Sequence, residues 1–600
     1  MFQNFAVTTD PKNGPPRLAA LRQTMRENDV TAYLVPRADA YQGEYVAPCD
    51  ERLAFLTGFT GSAGFAAITM DTAGVFIDGR YRLQVRDQIS LSDFSPVNWP
   101  ETKLSNWLGS TLPQGGRVGF DPWLHTEKEI AELTATLSTQ QITMVPLDNL
   151  IDKIWQDRPA PPKGKAIAYP IDMAGESHAS KRQRIAETLR LSGQDHAVIT
   201  LPDSLAWLLN IRGTDIPRNP VMHGFAIIDA MGKVALFADP DKLIDVIDHF
   251  DPEIKCQDIA QFPEALRMLE GTVRVDSSSA PVAVFDAISA NIVRADDPVV
   301  LPKAKKNATE IANTTAAHIR DGAVMAEFLC WLDETAPQGR LTEIDVVKKL
   351  EGLRSATGKL RDISFETICG SGPHGAIVHY RVTEDTNRVI TPGELLLVDS
   401  GGQYLDGTTD ITRTISTGTV NVEQKKAFTL VLKGMIALSL ARWPSGLAGR
   451  DLDALARTPL WAAGMDYDHG TGHGVGVYLC VHEGPARISK VSDVPLEPGM
   501  ILSNEPSYYQ TGAFGIRIEN LVVIKNAESV KDGDDRAMLD FETITLAPID
   551  RRLIDMDLLT KAELVWLDTY HAKVAETLMP LVNAKTQKWL IEVTSSLGSR

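Results

Sequence analysis

"GELLLVDSGGQYLDGTTDITRT", residues 393–414, joins an apolar run ending at Asp399 to a Thr-rich run containing Asp410. An aspartate at the edge of a buried apolar strand is costly unless it is paired, hydrogen-bonded or metal-bound. The plain structural alternative is a hairpin, since Asp406-Gly407 is a strong turn signal and aspartates near turns are common. The register is open at this point. Asp399 and Asp410 face each other if the turn centres on Tyr404 and Leu405, whereas a tight Asp406-Gly407 turn offsets them.

Three stretches downstream bear on the same question. "HGTGHGVG", residues 469–476, spaces His469 and His473 four apart with glycine at every second position. Such glycines could cradle a phosphate, form a turn or let the backbone approach a metal closely. "ILSNEPSYY", residues 501–509, sets Glu505 between a short apolar run and a proline. In "GIRIENLVVI", residues 515–524, alternation puts Ile516 and Ile518 on one face of a single strand, with Arg517 and Glu519 on the other. A salt-bridged edge strand explains that pair equally well.

Taken singly, each carboxylate reads as structural. Together, four carboxylates and one histidine beside apolar runs and a glycine loop have the ligand types that hard or borderline divalent ions prefer. With shared carboxylates they could hold two ions about 3.5 to 4 Å apart, the spacing that activates one water and clamps an oxyanion. One imidazole among oxygen ligands suits Mn²⁺, Co²⁺ or Zn²⁺ and the hydrolysis of a polar carbonyl. A phosphate loop is disfavoured because no lysine follows in a GxxxxGK[ST] pattern.

The chain around these stretches has 600 residues, 44% hydrophobic and 23% charged, enough for about three to four globular domains. Its net charge of -18 disfavours nucleic acid and anionic membranes as partners. No signal-like N-terminus or long apolar run is present, so a cytoplasmic location is expected. The five cysteines are odd in number, scattered and without a CxxC pair, as expected of reduced, mostly buried thiols.

The first half contains a repeat. "LAFLTGF" (53–59) matches "LAWLLNI" (205–211), and "GFAAIT" (64–69) matches "GFAIID" (224–229), each preceded by a helix-like and a strand-like segment. Two related α/β domains are therefore expected. "DRPAPPKGK" (157–165) reads as the linker between them, and a second boundary falls near "LPKAKKNATE" (301–310). The expected domains are 1–159, 160–304 and 305–600. Five of the twelve histidines fall between His374 and His482.

Asp399, Asp410, His473, Glu505 and Glu519, framed by "VDSG", "TTDITRT", "HGTGHGVG", "SNEP" and "RIEN", resemble the ligand set of the metal-dependent pita-bread peptidases. "GSGPHGAIVHY", "VHEGP", "DERLAFLTGFTGSAGFA" and "DGRY" extend the resemblance over nearly the whole chain, to the long three-domain aminopeptidase P type. It implies two creatinase-like α/β domains followed by a pita-bread α+β catalytic domain, and hydrolysis of N-terminal Xaa-Pro bonds by a metal-activated hydroxide. By the same resemblance two divalent ions, Mn²⁺ first and Co²⁺ or Zn²⁺ as alternatives, are held by Asp399, by Asp410 and Glu519 as bridges, and by His473 with Glu505. Glu505 is also the implied proton shuttle. His379 and His482 steady the intermediate, while His469, Arg517 and Arg80 join them in binding the peptide; His374 is expected to be structural.

The implied partners are peptides with proline second and another copy of the chain in a homodimer. A prolidase restricted to Xaa-Pro dipeptides is the nearest alternative. A non-catalytic peptide- or protein-binding module of the same fold is disfavoured because all five ligand positions are filled.

Overall fold

The computed structural model describes residues 1–597, in two compact units: Thr8–Lys303, and Met1–Val7 with the chain from Ala304 onward. Among the described residues no helix is long and apolar enough to cross a membrane. All five cysteines are free, four of them buried.

The N-terminal unit contains two six-stranded sheets of the same topology. In the first, Ala32–Pro36 pairs antiparallel with Phe65–Thr69 and parallel with Gly116–Phe120; in the second, His196–Ile199 does the same with Phe225–Asp229 and Thr272–Val275. Ala73–Ile77 and Val234–Phe237 extend the antiparallel side in the same way. The duplication seen in two short stretches thus extends to the whole sheet.

The repeated "LAFLTGF" and "LAWLLNI" are helices, Arg52–Thr57 and Pro202–Leu209, and each ends on a left-handed residue, Gly58 (φ 89) or Asn210 (φ 49). Glycine and asparagine are the residues that adopt this helix-ending conformation most readily. A Cβ on Gly58 would also meet Gln88 O at 2.4 Å. Residues 157–165, the expected linker, have no regular secondary structure.

The C-terminal unit opens with the helix Ala308–Thr335, which starts at an Asn307/Glu310 capping box. Val422–Ser439 and Lys561–Leu578 pack their apolar faces into one core, so Leu567, Tyr570, Val574 and Leu578 of the last long helix are core residues. Strands Ile368–Ser371, Leu395–Ser400 and Ile411–Ser416 form one antiparallel sheet; Gly472–Gly474, Ile501–Asn504 and Asn520–Asn526 run side by side in another.

The structure resolves the open register and corrects one local expectation. Tyr404 pairs with Gly407, so the turn residues are Leu405 and Asp406, a register between the two considered. Asp399 then faces Thr412, and Asp410 lies two residues before Thr412, diagonal to Asp399 on the same face. The single strand expected through residues 515–524 is broken at Ile518 and Glu519: Phe514–Arg517 forms a hairpin with Ser507–Gln510, and Asn520–Asn526 joins the larger sheet. The change from alternation in Ile516–Glu519 to the continuous apolar run Leu521–Ile524 falls at the break.

Candidate metal centre

These strand ends converge on one buried acidic cluster. Asp399 is the penultimate residue of a fully buried strand, and its Oδ2 accepts from Arg517 Nη2 at 2.6 Å. Opposite it, the Thr412 hydroxyl donates to Glu519 Oε2 at 2.7 Å and accepts from Arg517 Nε at 3.2 Å. Arg413 Nη1 donates to the Glu519 carbonyl at 2.7 Å, holding the broken strand in place. His473 Nε2 lies 3.5 Å from Asp410 Oδ2 and 3.4 Å from Glu505 Oε1. One ligand atom each from Asp410, His473 and Glu519 lie within 4.8 Å of one another.

The imidazole is oriented for ligation. His473 Nδ1 is 3.0 Å from the Gly474 carbonyl, and a carbonyl only accepts, so Nδ1 carries a proton while Nε2 is turned toward the carboxylates. Ser503 fixes the second side of the cluster: its hydroxyl accepts from His473 N at 2.9 Å and donates to Glu505 Oε1 at 3.1 Å.

The cluster fits divalent ions on its own evidence. Asp399 Oδ1 and Asp410 Oδ1 are buried without a hydrogen-bond partner, an arrangement that is costly unless a cation completes it. Burial first, then the neighbouring carboxylates, hold Asp410 and Glu519 well above the usual carboxylate range. Burial also pushes Glu505 up to about 7, with the Asp399 charge acting in the same direction against Arg517 and His482. Oxygen ligands with a single imidazole nitrogen suit hard or borderline divalent ions.

The glycines of residues 469–476 serve close packing. A Cβ on Gly472 would lie 1.9 Å from Ser503 O, and one on Gly474 2.3 Å from Glu483 O, so the backbone carrying His473 is pressed between two neighbouring segments. Gly470 is less confined, its nearest neighbour lying at 3.4 Å. Arg457 anchors the start of the stretch, donating to the carbonyls of His469 and Tyr467 at 2.6 and 2.8 Å.

The remaining expected site residues are distributed as follows. His469 Nε2 is 3.0 Å from the Tyr509 hydroxyl, which also accepts from Arg517 Nη1, so a chain runs from His469 through Tyr509 and Arg517 to Asp399. The His482 ring stands perpendicular to His473 with centroids 4.4 Å apart. His379 is half-buried and follows Val378, whose carbonyl accepts from Arg517 Nη2 at 3.4 Å. His374 Nδ1 lies 3.0 Å from Glu343, a buried carboxylate that also accepts from Ser371 N and the Tyr380 hydroxyl. Arg80 belongs to the N-terminal unit, where it pairs with Asp78 at 2.7 Å.

Thr412, Ser503 and Tyr509 were not singled out in the sequence. The available signal was position: Thr412 lies two residues after Asp410, and Ser503 and Tyr509 flank "NEP".

A buried carboxylate cluster with one imidazole, on the sheets of a unit that follows two duplicated α/β sheets in the chain, is the architecture of a metallopeptidase. The family model for metallopeptidase family M24 matches residues 312–526 and that for its C-terminal region residues 537–597; two Creatinase/Prolidase N-terminal domain models match 17–154 and 157–310. The chain belongs to the M24 metallopeptidases, among the Xaa-Pro aminopeptidases P.

It is 39% identical to the probable Xaa-Pro aminopeptidase P of Laccaria bicolor, over 98% of this chain and 94% of that one. It is 40% identical to that of Aspergillus fumigatus, over 95% and 90%. The crystal structure of Caenorhabditis elegans X-prolyl aminopeptidase, described as a cytosolic enzyme with a di-nuclear active site, superposes with a TM-score of 0.92 at 33% identity, covering 97% of this chain and 99% of that one.

Proposed function

We propose that the protein removes the first residue from peptides whose second residue is proline, working in the cytoplasm as a homodimer and holding two Mn²⁺ ions, with Co²⁺ or Zn²⁺ as alternatives. What supports this reading is the pair of buried, unpartnered carboxylate oxygens in the cluster that also holds His473, in a chain similar over its length to Xaa-Pro aminopeptidases P. Asp399 would hold one ion, Asp410 and Glu519 both, and His473 with Glu505 the other. Such ions, once bound, supply an activated water and positive charge for the carbonyl oxygen.

The chain's own side chains do the rest. Arg517 aims Asp399 through a charged hydrogen bond, and the Thr412 hydroxyl orients Glu519. Glu505 takes the water's proton and returns it to the proline nitrogen. His379 and His482 donate to the developing oxyanion. His469, held by Tyr509, shapes the pocket for the proline ring, and Arg517 contacts the peptide. Proline's tertiary amide has no N–H and its ring fixes φ, so recognition rests on ring shape in place of a backbone donor.

The test is mass spectrometry of products from metal-stripped and Mn²⁺-reloaded protein incubated with Arg-Pro-Pro, Arg-Ala-Ala and Gly-Pro. Arginine released from Arg-Pro-Pro alone, and only with metal, supports the proposal. Cleavage of Gly-Pro alone assigns a prolidase, and silence on all three assigns a binding module.

A further inference from the structure

A small, water-sized cavity borders the acidic cluster and is lined by His318, Asp321, Gly322, Thr409, Asp410 and Thr545 among others. Its walls carry an unusual set of unmet hydrogen bonds. His318, on the long helix Ala308–Thr335, is 3% exposed, and its Nδ1 is 2.8 Å from the Thr314 carbonyl. That carbonyl only accepts, so Nδ1 bears the proton. Burial lowers the ring's pKa, leaving the imidazole neutral and Nε2 an acceptor, and this nitrogen has no partner. Asp410 Oδ1 is a second buried acceptor without a partner.

Thr545 supplies a matching donor. Thr545 Oγ1 accepts from Leu521 N at 2.8 Å, which leaves its hydroxyl hydrogen to give. Asp321 is already satisfied, by Arg354 at 2.9 and 3.0 Å, the Tyr404 hydroxyl at 2.6 Å and the Thr409 hydroxyl at 3.1 Å. Two acceptors and one donor around a water-sized space match the valence of water, which donates twice and accepts. Buried waters typically make about three hydrogen bonds to groups otherwise unsatisfied.

We propose that this cavity holds a structural water that donates to His318 Nε2 and Asp410 Oδ1 and accepts from Thr545 Oγ1, making His318 a positioning residue for the metal ligand Asp410. A carboxylate oxygen has two lone pairs, so Oδ1 can serve an ion and still accept from this water. The helix Ala308–Thr335, which supplies none of the five ligands, would thereby set the orientation of a bridging carboxylate, as outer-shell partners do for metal ligands elsewhere.

The decisive measurement is a high-resolution crystal structure of the wild-type protein, with and without a rubidium soak, alongside calorimetric Mn²⁺ titration of the wild type, His318→Leu, His318→Gln and Thr545→Val. The expected result is a water within hydrogen-bond distance of both acceptors, and weakening of ion binding by about 10-fold in His318→Leu. His318→Gln, which restores an acceptor, should recover most of that loss, and Thr545→Val should fall between. An empty cavity, or a rubidium anomalous peak within it, overturns the proposal, as does wild-type ion affinity in folded His318→Leu. If His318→Leu does not fold, the wild-type density and Thr545→Val decide.

Discussion

Arg517 Nη2 donates to Asp399 Oδ2 at 2.6 Å, while the same guanidinium reaches Thr412, Val378 and the Tyr509 hydroxyl. A planar fork of five donors can serve all four partners, and a lysine ammonium cannot. Arg517→Ala should lower kcat/KM by about 10- to 100-fold and weaken ion binding, as expected when a ligand's outer partner is lost. Arg517→Lys should keep the charge and recover only part of the loss. Steady-state kinetics with calorimetric metal titration checks this; wild-type kcat/KM in Arg517→Ala would refute it.

The glycines around His473 make a graded test. Gly472→Ala forces a methyl to within 1.9 Å of Ser503 O, so a backbone shift must follow; Gly470→Ala meets its nearest neighbour at 3.4 Å. Gly472→Ala should lose at least about 1–3 kcal/mol of stability together with ion binding. Gly470→Ala should stay near wild type in thermal melts and metal titration. Equal behaviour of the two would show that the close approach is not what requires glycine.

Removing the metal should invert the pH response of stability. Glu505 titrates near 7 in the folded metal-free chain, above the ordinary value of 4.5, and Asp410 and Glu519 are shifted the same way. A carboxyl with a raised folded pKa binds more protons folded than unfolded, so its stabilisation is present below about pH 4.5 and is lost as the pH rises through the folded value. The stability difference between Mn²⁺-loaded and metal-free protein should therefore widen from about pH 5 to pH 8, because ions favour the ionised ligands. Melting both forms across that range checks it; a constant difference would contradict it.

Two histidines should separate structure from chemistry. His374→Ala leaves the buried Glu343 without one of its partners and should cost about 1–3 kcal/mol of stability, with kcat changed little in the folded fraction. His482→Ala, which removes the ring standing against His473, should melt near wild type yet lose about 100-fold or more in kcat. The reverse pattern would exchange their roles.

The sequence by itself determined the class of fold, the duplication of the N-terminal sheets and the identity of the residues that gather at the acidic cluster. The duplication follows from repeated apolar stretches, and the fold class and cluster residues from the resemblance of their framing motifs to the pita-bread peptidases, supported by carboxylates placed where burial is unfavourable without a partner. The tertiary structure alone decided the register that sets Asp399 opposite Thr412, the strand break at Ile518 and Glu519, and Arg517's choice of Asp399 as its partner. It also brought Tyr509 between His469 and Arg517 and set His318 beside Asp410. Each of these depends on contacts between segments distant in the chain, where packing and unmet hydrogen bonds choose among arrangements that local pattern leaves equal.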